Sequence, residues 1–590
     1  MRLQVSLRKG LRFLFVFGLL VYSPLARAAP TEGQASSDVL YPQGTLAVAR
    51  LKSFDSLSSA IERLKGWAHE HSSIEALMDE EDWSKLEKFD LQKSVAGSLD
   101  LNEEKFKDYF SGSISICISD DFKASAKTKA LPVVVAMTTR SPEKAEEFLQ
   151  TIKDDPDVVS VTREADGVEH LRVRQNEKLR GSSLKRDATS QPKSVGNGSN
   201  DPLDVYILAY QNRVLIGSAL DYTLSARKAL EEQTSRQPGF FEQAAEADIA
   251  LWIDPRPIFA LAKSQMEAKS KSAEEKGEPS KMDPKILDKL GLDEIQGIGV
   301  SVDLSQTRLH LEVDTVSEPA GIARIFTCSP QGLAPTPLIP SDVQEFTLLR
   351  FDSVCLWEEL RRIAKIAVPA SDTMYQGWKK QIQETYGVDI DRQLFGALGD
   401  RAVLYTLSSG DKADGLAIYV AVNDPTSLTG ALDALSGFFS QGKTLFEKSQ
   451  IKGTPVWRLK NEFQSPNAQS VAYAITHEWL IVSIGDPTQM QDLIEGADNH
   501  QIENSALKNE TVNETLKDPT LVGFSHRPLR EVLTDIAMIA KESRHKSASL
   551  HEVEEEEEIP EFDDVKESLL WYSRYTPGVI ETNLRIIYEK

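Results

Sequence analysis

The sequence predicts an α+β fold: two tandem copies of a mostly antiparallel sheet module, each with helices packed on one face. Three observations lead there. First, landmarks in residues 42–313 recur in the same order in residues 340–587. Pro42 leads into Leu46-Ala47-Val48-Ala49-Arg50-Leu51, and Pro340 into Phe346-Thr347-Leu348-Leu349-Arg350-Phe351. Later, Ile253-Asp254-Pro255-Arg256-Pro257-Ile258 is echoed by Phe524-Ser525-His526-Arg527-Pro528-Leu529. Second, alternating runs are joined by short turn signals, which favours antiparallel pairing. Third, helices fall between some strands but not all, so the strict alternation of a doubly wound parallel sheet is missing.

Each copy opens with an apolar strand after a proline and then a helix. In copy one the helix covers residues 56–69, with Leu57, Ile61 and Leu64 at helical spacing; in copy two it covers 356–366, with Leu356, Leu360 and Ile363 on one face. An acidic turn precedes the next strand: Leu99-Asp100-Leu101-Asn102 before Ile114-Ser115-Ile116, and Val388-Asp389-Ile390-Asp391 before Ala402-Val403-Leu404-Tyr405. A further strand, Val133-Val134-Val135-Ala136 or Ile418-Tyr419-Val420-Ala421, runs into a helix that starts at Pro142 or Pro425. Proline suits the first helical turn because its missing N–H would be unpaired there.

Two hairpins follow in each copy. The first turns at Asp166-Gly167 and at Lys452-Gly453; the second turns near Gln211-Asn212 and near His477-Glu478. Asp221 and Asp486 are expected to cap the next helix. Each copy then closes with a strand, a helix begun by Arg-Pro, and a final strand pair. Segments 181–200, 267–279 and 542–564 are rich in Ser, Gly, Lys or Glu and are expected to be mobile insertions. The resulting division is a signal peptide at 1–28, copy one at 29–328, a proline-rich linker at 329–340 and copy two at 341–590.

The signal peptide rests on a basic start (Arg2, Arg8, Lys9, Arg12), ten apolar residues from Phe13 to Tyr22, and Ala26-Arg27-Ala28 as a cleavage site. Cleavage is expected before Ala29; the alternative is retention as an anchor. No later segment is apolar enough for a membrane helix. The formal charge of −23 over 590 residues becomes about −28 once Arg2, Arg8, Lys9, Arg12 and Arg27 are removed. Such a surface repels nucleic acid and anionic lipid and favours solubility. The three cysteines, Cys117, Cys328 and Cys355, make no disulfide framework. An oxidising compartment permits one bridge, but thiols in unrelated settings read first as small apolar residues.

Motifs that carry chemistry are few. Gly437-Phe438-Phe439-Ser440-Gln441-Gly442-Lys443-Thr444 spells a phosphate-binding loop, yet a helix precedes it and a strand follows, the reverse of the order that aims amide groups at phosphate. His69 and His71 are two apart and point to opposite sides of a helix. Asp100, Asn102 and Glu104, like Asp389 and Asp391, have alternate-oxygen spacing but lack the glycine and distal glutamate of a calcium loop. The run at 554–558 reads as a solvated acidic tract. No metal site, cofactor or catalytic residue emerges. The repeated arginines Arg50, Arg350, Arg256 and Arg527 are the ligand-binding candidates, as anion-holding groups; the competing reading is structural pairing with nearby carboxylates.

Gly399-Asp400-Arg401-Ala402-Val403 and Leu215-Ile216-Gly217-Ser218, with the signal peptide and the proline before an apolar strand, resemble a group of large exported bacterial proteins sharing a domain of unknown function. The resemblance spans most of residues 40–590 and implies export and an α+β duplication. It implies no activity and no site residues. The expected function is therefore that of an exported envelope protein, periplasmic or extracellular, acting as a non-enzymatic binding or scaffold protein on an unidentified envelope protein or small ligand. An apolar-ligand carrier and a carboxylate-dependent exported hydrolase are the alternatives. A dry apolar pocket would favour the carrier, two close carboxylates in a deep pocket the hydrolase, and flat charged surfaces the scaffold.

Overall fold

The computed structural model describes residues 40–588, apart from 71–83, 85–86, 89, 91, 94–95, 97–100, 123–130, 174–202, 233–238, 276–285, 305–306, 320, 329–335, 338, 342, 344, 410–411, 441–444, 461–469, 486–488, 500–503, 546–561 and 563. The signal peptide, the insertion at 181–200, the acidic run at 554–558, Asp486 and most of the linker at 329–340 lie outside the described residues.

The described residues form two compact units. Those within 40–70, 84–257 and 298–307 make unit one, and those within 258–297 and 308–588 make unit two. The chain thus crosses between units more often than a single linker would allow.

Unit one contains β1 (Thr45–Leu51), β2 (Phe110–Ser119), β3 (Val133–Thr139), β4 (Val158–Arg163), β5 (Glu169–Val173), β6 (Leu203–Tyr210), β7 (Arg213–Gly217), β8 (Ile249–Ile253) and β9 (Ile295–Asp303). They pair in the order β9-β8-β1-β2-β3-β7-β6-β5-β4, and every pairing is antiparallel. Its helices are α1 (Phe54–Glu70), α2 (Glu103–Tyr109), α3 (Pro142–Lys153), α4 (Leu220–Glu232) and the one-turn α5 (Phe240–Gln243); α6 (Arg256–Glu275) leads out of the unit.

Unit two holds β10 (Arg308–Thr315), α7 (Ile322–Thr327), β11 (Phe346–Arg350), α8 (Ser353–Ala367), α9 (Ala370–Tyr386), β12 (Leu398–Ser409), β13 (Lys412–Val422), α10 (Pro425–Phe439), β14 (Phe446–Ile451), β15 (Thr454–Leu459), β16 (Ser470–Ile475) and β17 (Trp479–Gly485). It ends with α11 (Met490–Ala497), α12 (Glu510–Leu516), β18 (Leu521–Pro528), α13 (Leu529–His545), β19 (Glu567–Thr576) and β20 (Val579–Tyr588). The order is β10-β20-β19-β18-β11-β12-β13-β17-β16-β15-β14, again antiparallel throughout. The α+β class stands.

Helices cover both faces of each sheet, not one. In unit one, Val48, Cys117, Val134 and Leu215 pack with Tyr222 and Ala226 of α4 and Phe240 of α5. On the other face, Ile114, Met137, Ile207 and Val214 pack with Phe54, Phe106 and Phe148 of α1, α2 and α3. In unit two, Val403, Tyr419 and Ile481 meet α11 and α12, while Val422, Tyr473 and Ile475 meet α10. The physical reason is visible in β3, where Val133-Val134-Val135-Ala136-Met137 is apolar on both faces and needs two covers.

Several local expectations hold. Lys452 (φ 48°) and Gly453 (φ 85°) turn β14–β15, the paired positive φ values that a two-residue turn needs, and Asp166 (φ 57°) and Gly167 (φ 77°) turn the β4–β5 hairpin within the three-residue loop closed by Glu164 and Val168. Gly217 lets α4 close on β7, since a Cβ there would stand 1.9 Å from the Thr223 hydroxyl. Others differ. Asp221 lies inside the first turn of α4. Arg527 and Pro528 end strand β18, and the helix starts at Leu529. Residues 267–275 are helical, the end of α6, because Met, Ala, Lys and Glu have high helix propensity. Among the described residues, no helix is long and apolar enough to cross a membrane.

Candidate functional site: an apolar cavity and a polar cleft along α10

Helix α10 borders two concavities of unit two. Asp424 caps it by accepting from the Ser427 amide at 3.0 Å and hydroxyl at 2.6 Å, and Pro425 fills the first turn. Leu428, Ala431 and Ala434 face the core. The next flank, Leu432, Leu435, Ser436 and Phe439, does not close on the sheet. Together with Leu445, Phe446 of β14, Tyr473 of β16 and Leu480 and Val482 of β17 it lines a cavity of about 260 Å³. Ser436 and the Tyr473 hydroxyl are the side-chain polar groups in that wall. Tyr473 is fixed by stacking on Trp457 (centroids 5.0 Å apart) and by an edge contact with Phe446 (5.1 Å). Burial, reinforced by the charge of Asp433, pushes its phenol well above the ordinary value, so it stays neutral. Phe439 stands at the rim, 63% exposed.

At the other end of α10 lies a polar cleft of about 580 Å³, lined by Gln383 and Gly387 at the end of α9, by Asp389, Arg392, Gln393 and Gly396 on the following turn, and by Asp424 and Ser427. The turn is a π-type turn, Asp391–Phe395. Asp389 receives the Asp391 amide at 3.1 Å, the capped-turn arrangement rather than a calcium loop. Asp391 itself gathers Lys379 at 2.6 Å, the Trp357 indole at 3.0 Å and the Tyr375 hydroxyl. Burial would raise its carboxyl, but hydrogen bonds from Lys379, Tyr375 and Trp357 outweigh it and hold the group below the usual carboxylate range. Arg361 stacks 4.3 Å from the Tyr375 ring centroid, and Trp357 lies 4.0 Å from Phe395. Hydrogen bonds from the Ser427 hydroxyl and amide likewise lower Asp424.

No family model and no curated protein matches this chain. Among solved structures it is similar to crystal form III of TP0453, at 9% identity over 43% of this chain and 95% of that one, with a TM-score of 0.21. Crystal form I of TP0453 gives 8% identity, 43% and 94% coverage and a TM-score of 0.20. Likeness at this level transfers neither fold nor function.

The four candidate arginines do not converge within either unit. Arg50, 3% exposed, donates to the carbonyls of Ala244, Ala245 (2.9 Å) and Ala247 (3.2 Å) behind α5. Arg256 forks onto Asp254 at 2.9 and 2.7 Å. It follows β8, whose Ile253 pairs with Ala47 at the far end of β1 from Arg50. Arg350 meets Asp400 at 2.7 Å, and Arg527 meets Asp535 at 2.7 Å and Glu345 at 3.1 Å. Those two sit at opposite ends of the β11–β18 pair, about 16 Å apart at 3.3 Å per residue.

Residues 437–439 end α10 and β14 follows, so the loop-like motif has the helix-first order; Gln441 to Thr444 lie outside the described residues. His69 and Glu70 close α1, and His71 and Asp100 lie outside the described residues, while Asn102 caps α2 through the Lys105 amide. Among the described residues, no group of three or more His, Cys, Asp or Glu is placed to hold a metal. Cys328 and Cys355 form a disulfide with Cα atoms 5.5 Å apart, which corrects the reading of all three cysteines as apolar fillers; Cys117 fits it, buried in β2. Sequence reasoning missed the cavity altogether. Its lining runs from Leu432 to Val482, and its one local sign is the Phe438-Phe439 pair at a helix end.

Proposed function

We propose that the protein is an exported, non-enzymatic binding protein of the bacterial envelope whose ligand places an apolar group in the cavity under α10. The cavity carries the reading. Its wall is almost wholly hydrocarbon and aromatic, and its volume matches about nine waters. A space lined this way offers water few hydrogen-bond partners and suits a ring or a short acyl segment. Asp424 at the neighbouring cleft does not have the raised pKa of a general acid: hydrogen bonds from Ser427 hold it low.

Two further parts of the reading have separate support. Export is supported by the N-terminal sequence and by the Cys328–Cys355 bridge, which suits an oxidising compartment. A tandem duplication is supported by strand order: β9-β8-β1-β2-β3-β7-β6-β5-β4 maps element by element onto β20-β19-β18-β11-β12-β13-β17-β16-β15-β14, with β10 matching β20 and one additional strand in the second list. The extra member arises because β10, the counterpart of β20, would extend the first list.

The test is titration of the purified mature chain with N-phenyl-1-naphthylamine, followed by fluorescence. Saturable enhancement is expected, and it should fall at least tenfold in affinity when Val482→Phe or Leu432→Phe fills the space. No enhancement, or enhancement indifferent to both substitutions, sinks the proposal.

A further inference from the structure

The outer edge of the unit-one sheet is a second place where apolar surface is left open. Among the described residues β4 pairs with β5 alone. Every residue from Val159 to Arg163 is exposed, Val159 at 55% and Val161 at 45%. An open edge of β-branched residues is a template for another strand, and proteins usually guard it with charge. The outer strand of unit two is guarded in that way: β14 carries Glu447 and Lys448 in its exposed stretch. In β4 the charges stand at the two ends, Asp157 just before the strand and Arg163 at its close.

We propose that β4 pairs antiparallel with β4 of a second copy of this chain, in the register centred on Ser160. The sequence Asp157-Val158-Val159-Ser160-Val161-Thr162-Arg163 is a palindrome in chemistry about its middle residue. A twofold axis at Ser160 sets Val159 against Val161, Val158 against its isostere Thr162, and Asp157 against Arg163, each twice. That is the self-complementarity a twofold interface requires. The backbone fixes part of the register. The Glu164 amide donates to Val168 O at 2.8 Å, so by the alternation of an antiparallel ladder Thr162 and Ser160 turn their backbone groups to β5, and Val161 and Arg163 face outward. The β4–β5 ladder shifts register between Val158 and Ser160, so the alternation stops at Ser160 and the side-chain sequence selects the centre. Centring on Val161 would set Val159 against Arg163; centring on Thr162 would set Val161 against Arg163. Only the Ser160 register among these three joins valine to valine and acid to base.

A ribbon of this length is small, so the dimer belongs to the weak class, in the micromolar range or above. The experiment is sedimentation velocity of the full mature chain from about 1 to 200 μM at low salt, concentrations chosen to bracket that weak class. A concentration-dependent dimer is expected. Arg163→Asp sets Asp against Asp and should weaken it roughly tenfold. Adding Asp157→Arg to Arg163→Asp recreates the pairing in reverse and should restore association. Val161→Pro removes an outward N–H and should abolish it. Circular dichroism checks that each variant is folded, and the charge swap, being on the surface, keeps the idea testable should the proline variant fail to fold. A chain that stays monomeric throughout overturns the proposal. So does a dimer that ignores Arg163→Asp, or one that the double swap does not recover.

Discussion

Removing the Cys328–Cys355 bridge should destabilise unit two by about 3.5 kcal/mol. Cys328 closes α7 and Cys355 lies in the first turn of α8, 27 residues apart in sequence. Closing a loop of that length in the unfolded chain removes entropy worth about 3.5 kcal/mol at 25 °C on the loop-closure model. The Cα separation of 5.5 Å falls in the middle of the range that a bridge spans without backbone movement. The perturbation is the double change Cys328→Ser, Cys355→Ser. The assay is urea unfolding followed by tryptophan fluorescence, with Trp357→Phe as the control that isolates the signal of Trp357, two residues from Cys355 and stacked on Phe395. The midpoint should fall by roughly 1 M urea. Alkylation of the native chain should find no reactive thiol, because Cys117 is fully buried and burial holds its thiol protonated; after unfolding without reductant it should find one. An unchanged midpoint, in protein shown by mass to carry the bridge, would refute the reasoning.

Arg50→Ala should cost unit one about 3 kcal/mol, since it strands buried carbonyls and empties a buried site; Arg256→Ala, whose guanidinium is 57% exposed, should cost under about 1 kcal/mol. Equal costs in thermal unfolding would remove the structural role assigned to Arg50. Asp391→Ala should destabilise the α8–α9 pair by about 2 kcal/mol and redshift the Trp357 contribution to the emission, taken as the difference from Trp357→Phe, because it leaves Tyr375 and the indole without their acceptor and Lys379 with Asp389 alone; an unaltered difference spectrum and stability would contradict this. Asp314 is pushed up to about 7 by burial, then by the charge of Glu312 and by the hydrogen bond between the two side chains. Its folded pKa lies above its unfolded one, so the native state holds the extra proton and stability falls as pH rises from about 4 to about 7. Asp314→Asn should flatten that part of the wild-type profile, and a difference curve without slope in this window would show the assignment wrong.

Much of the fold was legible because its signals are local. Alternation, hairpin turns and proline at helix starts each sit within a dozen residues, and β1, α3, β13 and the Asp166-Gly167 and Lys452-Gly453 turns fall where those signals put them. Helix α9 was missed although its marks were present: Met374, Trp378 and Ile382 at helical spacing and Gly387 in a left-handed C-terminal position (φ 72°). Cover on both sheet faces was readable in Val133-Val134-Val135-Ala136-Met137 but was outweighed by alternating strands elsewhere. The disulfide and the cavity were not legible. Three cysteines allow three pairings, and a cavity is a shortfall of volume among residues far apart in sequence, which no local pattern records.

Taken as copies of one module, the two units differ most where function is proposed. Helices α3 and α10 each follow a long strand and begin at Ser141-Pro142 or Asp424-Pro425. In unit one α3 sends Phe148 into a set of rings, 5.5 Å from Tyr109 and 4.9 Å from Phe110. In unit two α10 presents Leu428, Ala431 and Ala434 to the core, its phenylalanines come only at the far end, and Phe439 stays exposed. The edges diverge in the opposite sense, with charge guarding β14 and a self-complementary valine strand exposed at β4. On the proposed readings ligand capture would belong to unit two and self-association to unit one, so substitutions that disable one are expected to leave the other intact.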